Sequence, residues 1–320
     1  MSINVFAQHP ALLCPFPSAL HAEGAHVEQQ TMKWAWQYGL IENDHDARRL
    51  ERSCFSMLMA RAYPTTSRAT LQLIADWNTW TFLLDDQFDE HLTGRDPDAV
   101  EKMHARILCI LAGEAPRHDD SSRIVALHSI AQRLRVQRNE EWMERFQACV
   151  RDTLAASLWE ARNRQARLVP VEQDYRYWRL FTSGVYCYFT LIELAAQIVL
   201  PTFVLEHPVI AQLARSANYA ICWSNDLFSL GKELARSDVH NLAYVVHRER
   251  QMSLDDACAH VAAEHDKEVV RFQQCHHALP AFGPQLDRAV ACYADGLATW
   301  MRANMDWSML TYRYRIETRQ

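Results

Sequence analysis

Glycine is scarce in this chain, with 8 residues among 320, whereas an average protein contains about 7% glycine. Clusters of glycine, proline and asparagine do not recur at the short intervals that separate the strands of β-sandwiches and barrels. Prolines and polar clusters instead divide the chain into helix-length segments. No internal repeat or flexible linker separates two halves. The sequence therefore predicts an all-α protein with a single domain over residues 1–320, in which residues 1–20 form an irregular arm.

The chain also lacks a basic excess, a long apolar run and closely spaced cysteine pairs. Its formal net charge of −6 at pH 7 argues against a nucleic-acid partner, because such proteins usually carry a basic face. No run of about 18 uncharged apolar residues occurs, so we expect no membrane span, and the N-terminus does not resemble a signal peptide. The 9 cysteines form no CxxC motif, which is typical of reduced thiols in a cytoplasmic protein.

An amphipathic segment between Thr65 and about His91 leads into the first group of polar residues. Its apolar side chains recur at spacings of three and four, which predicts one buried stripe of a helix: Leu73, Trp77, Trp80, Leu84 and Phe88. We expect this stripe to be ordinary core.

Three carboxylates lie close together at the end of that stripe, and we call Asp85, Asp86 and Asp89 the aspartate motif. On a helix, Asp85 and Asp89 lie one turn apart, so their charges repel each other unless a cation binds between them. Carboxylate oxygens suit Mg²⁺, which prefers one or two carboxylates together with water and phosphate oxygens. A solvated acidic helix end has the same pattern, so the motif alone does not establish a metal site.

A second polar group consists of Asn225, Ser229 and Glu233, which we call the NSE row. Offsets of four and eight residues place these side chains on one helix face over two turns. Amide, hydroxyl and carboxylate oxygens together form a ligand set for one divalent ion. Residues 221–223 are apolar, which favours an interior position, and a polar surface stripe is the alternative.

The two motifs in this order, about 140 residues apart, resemble the metal motifs of bacterial class I terpene synthases. The resemblance extends from Tyr63 and Pro64 to the C-terminal Arg313 and Tyr314. It implies a helical bundle around a central active-site cavity, in which the aspartate motif and the NSE row face each other. It also implies three Mg²⁺ ions, for which Mn²⁺ can substitute, and one bound diphosphate.

The resemblance assigns further residues to the diphosphate. Arg179 precedes the NSE row by the interval at which the family keeps a diphosphate-sensing arginine. Arg313 and Tyr314 resemble a pair that reaches the diphosphate when the site closes, since a guanidinium binds phosphate through two parallel hydrogen bonds and a phenol adds one more. Lys232 is the remaining candidate for a phosphate contact.

Four residues are predicted to line the cavity. Phe82 lies one turn before the aspartate motif, and its ring would stabilise a cation by about 0.5–2 kcal/mol. Ser183 and Gly184 resemble the family's broken helix beside the substrate. A glycine within a helix costs about 1 kcal/mol relative to alanine, so Gly184 indicates an intended break. Trp307 resembles a tryptophan that caps the cavity.

The function that the resemblance implies is that of a lyase, which ionises a linear isoprenyl diphosphate, cyclises the carbocation and releases diphosphate. The chain length and Phe82 are similar to those of sesquiterpene synthases that act on farnesyl diphosphate, and a diterpene synthase acting on geranylgeranyl diphosphate is the alternative. A chain-elongating prenyltransferase would carry a second aspartate-rich motif in place of the NSE row. In a non-catalytic helical interaction protein both motifs would be accidental. A homodimer is compatible with the sequence.

Overall fold

The structure is a computed structural model that describes residues 11–90 and 96–314, apart from the side chains of residues 88–90. Within this part of the chain the regular secondary structure consists of helices, which confirms the predicted all-α class. The helices are α1 (Gly24–Gln37), α2 (Asp44–Ser53), α3 (Phe55–Ala62), α4 (Arg68–Glu90), α5 (Pro97–Leu111), α6 (Ser122–Gln137), α7 (Glu140–Ala166), α8 (Glu172–Thr182), α9 (Val185–Ala196), α10 (Thr202–Leu205), α11 (Pro208–Ala235), α12 (Leu242–Arg250), α13 (Leu254–His277) and α14 (Pro284–Leu310).

The helices group into two compact units. One unit contains α8 and α10 to α14, and the other contains α1 to α7 and α9. The chain passes from one unit to the other at Gly184. Residues 11–20 form no helix, and residues 1–10 lie outside the described part. The single domain and the irregular arm therefore stay predictions. None of the described helices is long and apolar enough to span a membrane.

Helix α11 is the central helix of the first unit, where it packs against α8, α12, α13 and α14. It begins with Pro208, whose missing N–H is tolerated in the first helical turn. Leu213, Trp223 and Leu230 are almost fully buried on it. Because neighbours cover the helix on several sides, Ser229 of the NSE row is buried, and Asn225 and Glu233 are partly buried. Buried polar groups of this kind need hydrogen-bond partners.

Helix α4 has the corresponding place in the second unit and packs against α1, α3, α6 and α9. The predicted stripe is confirmed for Leu73, Trp77, Trp80 and Leu84, which are all buried. The side chain of Phe88, the last member of the stripe, lies outside the described residues. Asp76, on the same helix, forms an ion pair of 2.6 Å with Arg133 of α6. Apolar packing and a partly buried ion pair thus hold the helix that carries the aspartate motif.

The predicted helix break at Gly184 is confirmed. Helix α8 ends at Thr182, α9 begins at Val185, and Gly184 between them has a φ of 65°. Glycine adopts this left-handed conformation without the steric cost that a side chain adds. A Cβ atom at Gly184 would lie 3.7 Å from Thr153 Cγ2, which is an ordinary contact. The backbone conformation, and not lack of space, therefore favours glycine here.

Candidate active site

The three residues of the NSE row lie along one face of α11. Ser229 is buried, and its hydroxyl donates a hydrogen bond of 2.8 Å to the carbonyl oxygen of Asn225. This bond uses the hydroxyl proton and leaves lone pairs of Ser229 Oγ for another partner. Glu233 Oε2 accepts a hydrogen bond of 2.7 Å from Asn241 Nδ2. The row therefore combines amide, hydroxyl and carboxylate oxygens in positions that neighbouring groups fix.

The carboxyl of Glu233 is in an environment that disfavours a negative charge. Burial raises its pKa to about 8, and the charge of Asp226 adds to the increase, while Lys232 and the hydrogen bond from Asn241 oppose it. A buried carboxylate is stabilised by a nearby positive charge. The hard oxygen ligands of the NSE row, together with this electrostatic preference, fit a divalent cation such as Mg²⁺.

Arg179 of α8 lies directly against the NSE row. Its Nη2 donates a hydrogen bond of 2.7 Å to Asn225 Oδ1, and its Nε donates one of 2.9 Å to Asp226 Oδ1. Burial lowers the pKa of Arg179, but the adjacent Asp226 outweighs this effect and holds the pKa above its ordinary value. The structure thus brings a permanently charged guanidinium, predicted to bind diphosphate, to the first residue of the row.

Tyr314, near the C-terminus, contacts the amide nitrogen of Asn225, whereas Arg179 contacts the amide oxygen. Asn225 Nδ2 donates a hydrogen bond of 2.6 Å to the Tyr314 hydroxyl oxygen. The Tyr314 ring meets the buried Trp307 edge to face, with centroids 5.6 Å apart. Burial raises the pKa of Tyr314, so its phenol keeps its proton at neutral pH. Arg313 is partly buried, and its backbone N–H donates to Thr311 Oγ1.

The aspartate motif, on α4 of the second unit, is built differently. Asp85 is exposed, and Asp86 is largely buried and forms an ion pair of 3.0 Å with Arg49 of α2. The side chain of Asp89 lies outside the described residues. Across the described parts of both units, no three His, Cys, Asp or Glu side chains come together as metal ligands.

The remaining predicted cavity residues have definite partners within their own units. The Phe82 ring stacks on Phe55 of α3, with centroids 4.2 Å apart and planes within 5° of parallel. One face of Phe82 is therefore covered, and the side chain stays partly exposed. Ser183 Oγ donates a hydrogen bond of 3.1 Å to Asn218 Oδ1 on α11, so this hydroxyl already has a partner.

The sequence model of the family described as "Terpene synthase family 2, C-terminal metal binding" matches residues 76–271 of the chain. The chain belongs to the class I terpene synthase family. The matched segment of this terpene synthase contains the aspartate motif, Arg179 and the NSE row, and it ends before Arg313 and Tyr314. The predicted enzyme class, a carbon-oxygen lyase of the terpene synthase type, is confirmed. The predicted use of a divalent metal is also supported, because the matching family is described as metal binding.

Named relatives extend the match over almost the whole terpene synthase. A (+)-T-muurolol synthase of Roseiflexus castenholzii, named as cyclising (2E,6E)-farnesyl diphosphate, is 39% identical over 95% of this chain and 93% of the relative. A 10-epi-cubebol synthase of Sorangium cellulosum is 34% identical over 96% of this chain and 98% of the relative. The solved structure of the linalool/nerolidol synthase from Streptomyces clavuligerus has a TM-score of 0.85 at 25% identity, and the match covers 93% of this chain and 100% of that chain.

Sequence reasoning missed both Asp226 and Asn241 as parts of the site. Asp226 is completely buried beside the NSE row, and it pairs with Arg179. Asn241, which is also completely buried, donates to Glu233 and to the backbone oxygen of Asp226. A signal for Asp226 was available, because it lies between the apolar residues 221–223 and 227–228 of one helix, where a buried carboxylate requires a partner.

Proposed function

We propose that this terpene synthase is a sesquiterpene synthase, which ionises farnesyl diphosphate in the presence of Mg²⁺, cyclises the cation and releases diphosphate. The observation that carries the proposal is the hydrogen-bonded group in which Arg179 and Tyr314 both contact Asn225 of the NSE row. The relative that is named as cyclising farnesyl diphosphate favours a C15 substrate over geranylgeranyl diphosphate.

The metal ligands of the proposed function come from both motifs. The oxygens of Asn225, Ser229 and Glu233 would hold one divalent ion, and the aspartate motif would supply carboxylate ligands, with Asp85 as the direct ligand. We propose three Mg²⁺ ions, which Mn²⁺ can replace. When bound, the ions neutralise negative charge on the diphosphate leaving group.

The cationic and phenolic side chains would stabilise the same charge as the allylic carbon–oxygen bond breaks. Arg179, Lys232 and Arg313 supply positive charge, and Tyr314 supplies a neutral phenol. Arg179 is suited to this role because its charge is permanent and its orientation is fixed by Asp226. Arg313 and Tyr314 lie beyond the segment matched by the family model, so their roles depend on the contact of Tyr314 with Asn225.

The carbocation that forms on ionisation requires an apolar environment from which water is excluded, because water would convert the cation to an alcohol too early. We propose that Phe82 stabilises the cation through its ring. Ser183, Gly184 and Trp307 are proposed as the other residues that meet the hydrocarbon chain. The shape of these surroundings would select the product.

The proposed function is tested by incubating the purified protein with Mg²⁺ and C10, C15 or C20 diphosphates, each with and without isopentenyl diphosphate. We expect a cyclic C15 hydrocarbon or alcohol from farnesyl diphosphate, identified by gas chromatography and mass spectrometry. If the protein turned over geranylgeranyl diphosphate but not farnesyl diphosphate, the proposed C15 substrate would be wrong and the substrate would be the C20 diphosphate. Longer diphosphates would indicate a prenyltransferase. The homodimer and the cytoplasmic location stay predictions.

A further inference from the structure

Asp226 is a buried carboxylate that has hydrogen-bond donors on both of its oxygens. Its side chain is completely buried on α11. Oδ2 accepts hydrogen bonds of 2.8 Å from the Tyr175 hydroxyl and 2.9 Å from the backbone N–H of Leu242. Oδ1 lies 2.9 Å from Arg179 Nε and 2.8 Å from Arg179 Nη2. Both carboxylate oxygens therefore have donors, and each oxygen faces a different part of the unit.

The two oxygens of this carboxylate have different roles. The contacts of Oδ2 with Tyr175 of α8 and with the start of α12 fix the carboxylate without any help from Arg179. Oδ1 is thereby a preformed acceptor for one edge of the guanidinium. The hydrogen bond from Nε to Asp226 Oδ1 and the one from Nη2 to Asn225 Oδ1 together fix the plane of the Arg179 guanidinium, which a single contact does not.

The orientation of Arg179 determines which of its donors remains for a ligand. Nε and Nη2 are engaged by Asp226, and Nη2 also donates to Asn225 Oδ1 at 2.7 Å. Within the described residues, the hydrogen bond of Nη1 is a long one, of 3.4 Å, to Thr182 Oγ1. Nη1 carries two N–H groups, so this is the end of the fork that is best placed to bind an additional oxygen.

We propose that Asp226 is a positioning residue, which holds the guanidinium of Arg179 so that Nη1 is presented to the substrate diphosphate while Nη2 stays on Asn225. The inference rests on the diphosphate-binding role of Arg179 in the proposed function.

A double-mutant cycle tests this inference. Asp226→Asn, Arg179→Gln and the double variant are compared with the unchanged chain, and the dissociation constant of inorganic diphosphate is measured by calorimetry in the presence of Mg²⁺. We expect each single variant to bind diphosphate about tenfold more weakly or worse, because a charge-assisted hydrogen bond is lost. In the Arg179→Gln background, Asp226→Asn should change the dissociation constant by less than about twofold.

The outcomes separate the inference from the function on which it rests. An equal loss from Asp226→Asn in both backgrounds would show a structural role and overturn the inference. If Arg179→Gln weakens binding and Asp226→Asn does not, the inference alone is wrong. If Arg179→Gln leaves binding unchanged, the role of Arg179 in the proposed function is wrong, and the inference is overturned with it.

Two further variants keep the test decisive if Asp226→Asn does not fold, as judged by far-UV circular dichroism. Arg179→Lys retains the charge but not the fork, so it should lose as much diphosphate affinity as Arg179→Gln, and an unchanged affinity would overturn the inference. Tyr175→Phe is the matched control, because it removes one hydrogen bond to Asp226 Oδ2 and leaves the Leu242 N–H in place. It should bind diphosphate within about twofold of the unchanged chain, and a loss as large as that of Arg179→Gln would contradict the assignment to Oδ1.

Discussion

The regions that carry the two metal motifs are built differently. In the NSE row, Asn225 contacts Arg179 and Tyr314, and Glu233 contacts Asn241. In the aspartate motif, Asp85 is exposed. Oxygens held by partly buried hydrogen bonds are preorganised for an ion, whereas an exposed side chain loses conformational freedom when it binds one. The NSE row therefore depends on a network, so that one substitution there disturbs several groups.

The largest effect is expected from Asn225→Ala, which breaks the network of the NSE row at its centre. The substitution removes a proposed metal ligand and also the partner of Arg179 and Tyr314. We expect kcat with farnesyl diphosphate to fall by about a thousandfold, while far-UV circular dichroism remains unchanged.

Asn225→Asp is the matched control for that experiment. It keeps an oxygen ligand and loses the amide donor to Tyr314, so it should retain more activity than Asn225→Ala. If Asn225→Ala kept more than about a tenth of the original turnover, the proposed metal site in the NSE row would be wrong.

The aspartate motif should show a graded response, because its two described carboxylates have different surroundings. Asp85→Ala removes the proposed direct ligand, and we expect kcat to fall by about a hundredfold or more. Asp86→Ala should have a smaller effect, since Asp86 already pairs with Arg49. Steady-state rates over a range of Mg²⁺ concentrations measure both effects. A larger loss in Asp86→Ala than in Asp85→Ala would reverse the assignment of the direct ligand.

Features with a local pattern were predictable from the sequence. The stripe on α4 follows from its spacing, and the buried positions of Leu73, Trp77 and Trp80 confirm it. The break at Gly184 was predictable because glycine is rare in this chain and costly within a helix. The NSE row is likewise a repeat at one-turn intervals. Each of these depends on residues that are near neighbours along the chain.

Features that depend on distant partners were not predictable in the same way. Asp226 receives hydrogen bonds from Tyr175 and Arg179 of α8 and from Leu242 at the start of α12, two segments that are distant from each other along the chain. The ion pair of Asp86 with Arg49 also joins two helices that share no motif. Side-chain spacing along one helix carries no information on such pairs. The architecture of the site around its motifs therefore required the three-dimensional structure.

Phe82→Ala probes the aspartate motif's neighbourhood without removing a metal ligand. We expect the product distribution to change or the yield to fall, because the ring proposed to stabilise the cation is absent. Gas chromatography and mass spectrometry of the products measure the change. The loss of the stack with Phe55 should also lower the free energy of unfolding by about 1–3 kcal/mol. An unchanged product profile would show that Phe82 contributes to packing alone.

The smallest effect on catalysis is expected from a substitution of Glu28. This residue carries a carboxyl on α1 and lies outside both metal motifs. Burial raises its pKa from 4.5 to about 7, and its Oε2 is buried without a hydrogen-bond partner among the described residues. Glu233 has a similarly raised pKa, but it also has the hydrogen bond from Asn241. The comparison separates a carboxyl that is merely buried from one that is held in a site.

The pH dependence of unfolding tests whether burial raises the pKa of Glu28. Because the folded chain binds the Glu28 proton more tightly than the unfolded chain does, the resulting stabilisation is complete below pH 4.5 and is lost as the pH rises through about 7. Glu28→Gln stays neutral, so at pH 8 it should be about 1–3 kcal/mol more stable than the unchanged chain, with a smaller or opposite difference at pH 5. Chemical denaturation at the two pH values measures this, and kcat should not change. An equal stability difference at both pH values would show that folding does not raise the pKa of Glu28.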